Sequence, residues 1–154
     1  PAGIIHLFIY SDIGRTQIKL MREVFQILGI GHTQSDVALA RELLCQLPED
    51  NYLRNSFDKY FKGKPFDASK FADMYLHPLE NSFDLERLFT LIDQANLQFL
   101  GFSNNNLWRI ERFLSGEIYR RAKSMNNQKQ WRIIERLDSD LTHFDFFLRK
   151  KCIR

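Results

Sequence analysis

The sequence predicts an α/β fold in which a small mixed sheet of about three strands is wrapped by many helices. A nearly continuous apolar run from Ile4 to Tyr10 has the length of a strand and the composition of one buried on both faces. A helix-strand pair follows at 84–102, and a Phe-rich strand runs from His143 to Arg149. The chain has 14 Phe but only 7 Gly and 4 Pro, which favours helices and buried aromatic packing over an all-β fold.

The length of 154 residues predicts a single domain over 1–154. We expect five parts in it: a strand (1–13), a helical insertion (14–80), the helix-strand pair (84–102), a second helical insertion (105–138) and the final strand (142–149). The long helical blocks separate the strands, so they are interpreted as insertions on a small sheet.

Capping residues divide the helical parts. The first helix is expected over 15–28. Four further runs with apolar residues at helical spacing follow, and each is preceded by a side chain that can cap a helix N-terminus. These capping residues are Thr33 or Ser35, Asp50, Asp67 and Asp84. Asn96 is suited to ending the helix after Asp84. In the second insertion we expect helices over 107–115 with a continuation to 125, and over 128–137. Cys45 lies beside Leu44 and is expected in the core.

Several classes of protein are excluded or disfavoured. No apolar run reaches the roughly 18 residues that a membrane span needs, and no signal peptide is visible. The two cysteines, Cys45 and Cys152, are expected to be reduced thiols of a cytoplasmic protein. A metal site is not expected, because the four histidines have no paired ligand spacing; they are His6, His32, His77 and His143.

Five sequence segments together are similar to a known family. They are Pro1-Ala2-Gly3 before the first strand, Tyr10-Ser11-Asp12-Ile13-Gly14-Arg15 after it, Asp73-Met74-Tyr75-Leu76-His77-Pro78-Leu79-Glu80, the helix-strand pair from Leu85 to Phe102, and the strand from His143. Their order resembles the C-terminal half of a class I, Rossmann-like S-adenosylmethionine-dependent methyltransferase, in a bacterial branch with helical insertions. The resemblance implies the strand order 5-7-6, with the last strand antiparallel between the other two.

The resemblance also implies which part of the enzyme this is. Such methyltransferases hold their cofactor on a glycine-rich loop after the first strand and an acidic residue after the second, as other Rossmann-like sites do. The one Gly-x-Gly here, Gly29-Ile30-Gly31, follows a helix instead. We therefore expect the cofactor-binding half to lie before Pro1. The full-length enzyme would use S-adenosylmethionine, whereas this substrate-side part would bind no cofactor, have no activity alone, and act on an unknown methyl acceptor.

Two clusters of residues are candidates for substrate contact. Tyr10, Ser11 and Arg15 follow the carboxyl end of the first strand, where open α/β sheets bind ligands. In the second cluster are Asp73, Tyr75, His77 and Glu80, with His77 the weak candidate for a general base. The alternative interpretation gives Arg15 a solvated position and makes His77 part of a helix-ending turn whose imidazole bonds locally.

Two other function classes stay open. Residues 105–154 carry 12 Lys/Arg against 6 Asp/Glu, whereas residues 1–104 carry 10 against 13. Cations interleaved with Trp108, Tyr119 and Trp131 are typical of nucleic-acid binding, so the basic helices at 105–136 are a possible nucleic-acid module, although a solvated helical face is favoured. The third class is an interaction domain, expected to form a homodimer through the exposed edge of the first strand or through the helical insertions.

Overall fold

The computed structural model describes residues 3–77 and 79–151. Pro1, Ala2, Pro78 and Cys152, which entered the predictions above, lie outside these ranges. The described residues divide into two compact units. The sheet unit holds 3–14 and 81–151, and the helical unit holds 15–77 and 79–80. The predicted first insertion, 14–80, differs from the range of the helical unit by one residue.

The sheet unit is built on four strands: β1 (Ile4–Ser11), β2 (Ser82–Phe83), β3 (Leu97–Phe102) and β4 (His143–Lys150). Their order is β2-β1-β4-β3, and β4 is antiparallel to both of its neighbours. The predicted mixed sheet, with the last strand between the other two, is therefore confirmed. The fourth strand, β2, pairs in parallel with the last two residues of β1. A strand of two residues is too short to give a periodic signal, so the sequence prediction of about three strands omits it.

One face of the sheet carries the core of this unit. Phe144, Phe146 and Leu148 alternate along β4 and are fully buried, because successive side chains of a strand point to opposite faces. Helices α5 (Leu85–Gln94) and α7 (Asn127–Leu137) contribute to the same apolar cluster. The α5 helix begins at the predicted cap Asp84, and Asn96 follows it with a positive φ of 55°.

The opposite face of β1 is open within the described residues. The prediction that β1 is covered on both faces is not met, since Ile4 is 67% exposed and Phe8 is 55% exposed. From Ile4 to Ile9, β1 pairs only with β4 among the described strands, because β2 reaches only Tyr10 and Ser11. This leaves one edge of the strand with apolar side chains beside it.

The helical unit contains four helices: α1 (Thr16–Ile27), α2 (Gln34–Gln46), α3 (Tyr52–Phe61) and α4 (Ala68–Tyr75). Thr33 caps α2 in a reciprocal capping box with Asp36, and Asp67 caps α4, as predicted. The α3 helix is capped by Asn51 rather than the predicted Asp50. The core of the unit is strongly aromatic, with buried rings at 25, 57, 61, 71 and 75.

Two further expectations are wrong. The predicted helix over 107–115 is replaced by two short 3-10 turns, Asn105–Trp108 and Ile110–Arg112, because Arg109 between them has an extended backbone (φ −95°, ψ 121°); α6 (Gly116–Lys123) begins only afterwards. Cys45 is exposed, not in the core. It lies about 100° around α2 from the buried Leu44.

None of the helices in the described ranges is long and apolar enough to cross a bilayer.

Candidate functional site

The turn after β1 is held in place by its own polar groups. Ser11 is fully buried, its Oγ accepts a hydrogen bond from the Gly14 N–H at 3.1 Å, and its own N–H donates to the Thr142 carbonyl at 3.0 Å. The Ser82 hydroxyl donates to Asp12 Oδ1 at 2.7 Å. The Ser11 side chain therefore faces the interior and serves the turn.

Gly14 lies against another backbone segment. A Cβ at this position would be 2.0 Å from the Leu141 carbonyl oxygen and 2.6 Å from its carbon. Only glycine permits this approach. Tyr10, the remaining candidate from the strand end, is half-buried, pairs opposite His143 and packs edge-on against Phe8.

Arg15 is part of a buried ion cluster rather than a solvated residue. It is 5% exposed, and its Nε and Nη2 donate to the two oxygens of Glu80 at 2.6 and 2.7 Å. Arg22 Nη2 lies 2.9 Å from Glu80 Oε2, so one carboxylate serves two guanidinium groups. Arg15 and Glu80, placed in different clusters by sequence, are thus direct partners.

The other three candidates differ in exposure. Tyr75 is 1% exposed, and burial raises the pKa of its hydroxyl to about 12. Asp73 is exposed, and its backbone carbonyl, not its carboxylate, accepts from Arg22 at 3.4 Å. His77 is exposed, and its Nδ1 lies 2.6 Å from the Leu79 carbonyl oxygen, the local bonding of the alternative interpretation.

A cleft of about 160 Å³ in the helical unit brings two of these candidates together. Its lining residues are Arg22, Phe25, Gln26, Ile30, His32, Tyr75, Leu76 and His77. Asp73 is not among them. Sequence reasoning missed Arg22, Gln26 and His32. The spacing of four between Arg22 and Gln26 is a usable signal, because it places both on one helix face, but nothing in the sequence links them to His32.

A second polar cluster lies on the open face of the sheet. His6 Nε2 contacts Asp145 Oδ1, and the Ser103 hydroxyl lies 3.3 Å from the same nitrogen. The Ser103 hydroxyl, followed by the His6 imidazole, lowers the pKa of the Asp145 carboxyl. A catalytic triad needs the carboxylate and the hydroxyl on different ring nitrogens. Here one nitrogen meets both, so the arrangement is not a triad. Across the described ranges, no group of three side chains is placed to hold a metal ion.

The aromatic residues of the basic segment are used mainly for packing. Trp108 is 8% exposed and stacks on Phe102 with ring centroids 3.7 Å apart. Trp131 packs among Phe89, Phe99 and Phe102. Trp108 thus belongs to the core of the sheet unit, and the partly buried Trp131 packs against that core.

Comparisons with known proteins agree with this topology. No protein-family model matches the sequence. Over 99% of its length the chain superposes on PKMT2 from Rickettsia typhi in complex with AdoHcy, with a TM-score of 0.77 and 15% identity. The fold is methyltransferase-like. A second structure of PKMT2 from Rickettsia typhi gives a TM-score of 0.73 at the same identity and coverage.

By sequence, the chain is 39% identical over 153 residues to an uncharacterized protein of Synechococcus sp.. That match covers 96% of this chain and 37% of the relative. The chain covers 31% of each PKMT2 structure. It therefore spans about a third of the length of the proteins it matches.

Proposed function

We propose that the chain is part of an S-adenosylmethionine-dependent methyltransferase and forms its substrate side. The observation that carries this is the superposition of nearly the whole chain on PKMT2, a protein whose structure contains AdoHcy. AdoHcy is the compound that remains when S-adenosylmethionine has given up its methyl group. The strand order supports the same proposal, because β1, β4 and β3 lie side by side as the resemblance predicts for strands 5, 7 and 6.

The cofactor site is proposed to lie outside the described residues. Gly29-Ile30-Gly31 follows α1 rather than a strand. At the end of β1, the Ser11 hydroxyl is bonded to Gly14, and Gly14 is packed against Leu141. Under the proposal, the cofactor is held by parts of the longer proteins that this chain does not match, and no step through the cofactor is assigned to these residues.

The helical unit is the part proposed to face the methyl acceptor. It is inserted directly after the carboxyl end of β1, the edge at which open α/β sheets bind their ligands. Its exposed cleft offers a guanidinium, an amide and two imidazoles. Such groups hold and orient a polar substrate, which is what a transfer between two bound molecules requires.

The test is methyl transfer from tritiated S-adenosylmethionine to a cell extract from which the gene's own product has been removed. The longest product of the reading frame is compared with residues 1–154 alone. We expect label incorporation and stoichiometric cofactor binding only with the longer product. A longer product that folds but binds no S-adenosylmethionine contradicts the proposal, as does tight cofactor binding by residues 1–154.

A homodimer through β1 is a second proposal, favoured by the open edge from Ile4 to Ile9. Ile4, Ile5 and Phe8 expose 67%, 45% and 55% of their surface, and an unpaired apolar edge is prone to pair with another strand. Sedimentation equilibrium of the chain is expected to show a concentration-dependent dimer that Ile4→Lys weakens and Leu79→Lys, at another exposed apolar residue, does not. A monomer at every concentration contradicts this proposal.

A further inference from the structure

We propose that the cleft of the helical unit is a binding site for a small carboxylate that carries an apolar group. The first argument concerns Arg22. Its side chain is 11% exposed. Arg22 Nε and Nη2 donate to the Met74 carbonyl at 3.1 and 2.8 Å, and Nη2 also meets Glu80. These contacts fix the plane of the guanidinium.

The third nitrogen of that guanidinium remains for a ligand. Within the described part of the chain, Arg22 Nη1 donates no hydrogen bond, and no fully buried side-chain nitrogen or oxygen lacks a partner there. Nη1 is therefore reached by solvent, and the residue lines the cleft. A nearly buried, already oriented N–H donor is suited to a carboxylate oxygen, because little side-chain freedom is lost on binding.

The two histidines supply further donors on the same cleft. His32 is exposed, and its imidazole makes no hydrogen bond to any described residue. His77 uses Nδ1 for the backbone of Leu79, so Nε2 is the nitrogen available to a ligand. The amide of Gln26 lies on the same lining. None of the described lining residues is acidic. The carboxylate closest in sequence to His32, Asp36, is bonded to Thr33 in the capping box.

The floor and the size of the cleft define the rest of the ligand. Phe25, Ile30 and Leu76 are apolar and at least nine-tenths buried, so they form a dry floor. An engineered apolar cavity of about 150 Å³ binds benzene. The cleft of about 160 Å³ is therefore matched to a ligand of one ring and one carboxylate. The inference concerns the cleft that the proposed function assigns to the methyl acceptor, but binding there can be tested without methyl transfer, because the chain's own residues form the cleft.

Benzoate is the probe, and the readout is the imidazole ¹H–¹³C NMR spectrum. The chain has four histidines, two on the cleft and two elsewhere. We expect the signals of His32 and His77 to shift saturably, with a dissociation constant of roughly 1–10 mM, ordinary for a ligand of this size. Signals of His6 and His143 stay in place. Benzamide, which has the same shape without the charge, binds at least tenfold more weakly.

Matched variants separate binding at the cleft from general effects. His32→Gln and His77→Gln each weaken benzoate at least threefold, whereas His6→Gln, the same change outside the helical unit, leaves its affinity unchanged. Phenyl phosphate in place of benzoate distinguishes a carboxylate site from a phosphate site, and tighter binding of phenyl phosphate overturns the carboxylate assignment. Equal shifts at all four histidines, or equal affinity for benzamide, overturn the site itself. If this experiment fails, the methyltransferase proposal still stands, because its own test measures the transfer of labelled methyl groups.

Discussion

Replacement of Gly14 by Ala is expected to destabilise the sheet unit severely. The added Cβ would lie 2.0 Å from the Leu141 carbonyl oxygen and 3.0 Å from Thr142 Cα, both backbone atoms that cannot rotate away. Overpacking of this kind costs about 1–3 kcal/mol. Separation of the two segments would also strain the bonds from Ser11 N–H to Thr142 O and from Gly14 N–H to Ser11 Oγ, each contributing about 1 kcal/mol. The total loss is roughly 3–5 kcal/mol.

Urea unfolding followed by tryptophan fluorescence measures this loss. Both tryptophans, Trp108 and Trp131, belong to the sheet unit, so the signal reports on the unit that contains Gly14. With a slope of about 1.5 kcal/mol per molar urea, the midpoint should fall by about 2–3 M. Gly3→Ala is the matched control, since no atom lies within 4 Å of its Cβ, and its midpoint should be unchanged. If Gly14→Ala unfolds at the same urea concentration as Gly3→Ala, the close approach to Leu141 does not constrain the fold.

Two further predictions concern buried carboxylates. Glu80→Gln removes the carboxylate charge that Arg15 and Arg22 share, and it should destabilise the helical unit by about 3 kcal/mol. Urea unfolding followed by far-UV circular dichroism should show a lower midpoint. An unchanged midpoint would mean that the ion cluster is not buried in solution. Burial raises the pKa of Glu135, whose Oε1 accepts from the Leu85 N–H at 2.9 Å. An acid with a pKa raised on folding stabilises the fold fully below its unfolded pKa, and this contribution is lost as the pH rises through the folded pKa. The stability difference between Glu135→Gln and wild type should therefore move in favour of the variant with rising pH, and a difference independent of pH would contradict the shift.

The parts of the fold that sequence predicted are those encoded by local signals. Capping residues such as Thr33 and Asp67 accept a hydrogen bond from the N–H three residues later, and β4 is only eight residues long. Both features can therefore be recognised in a short stretch of sequence. The resemblance to methyltransferases supplied the strand order. The second helical insertion was predicted less well, because its apolar spacing suits a helix while Arg109 breaks the backbone between two turns.

The candidate site was harder to predict, because its contacts join distant residues. Arg15 and Glu80 are 65 positions apart, and no local pattern indicates that they meet. Tyr75, a candidate for substrate contact by sequence, lies in an aromatic core beside Phe71. The cleft combines residues of α1, the segment after it and the end of α4, so it exists only once those segments pack.

Each of the two units joins the ends of its own chain segments by hydrogen bonds. In the sheet unit, the outgoing and returning strands are joined by the hydrogen bond from Ser82 to Asp12, at 2.7 Å. In the helical unit, the first and last residues are joined by the paired bonds between Arg15 and Glu80. The helical unit thus has the construction of an insertion that can be lengthened, shortened or replaced while the strands keep their register.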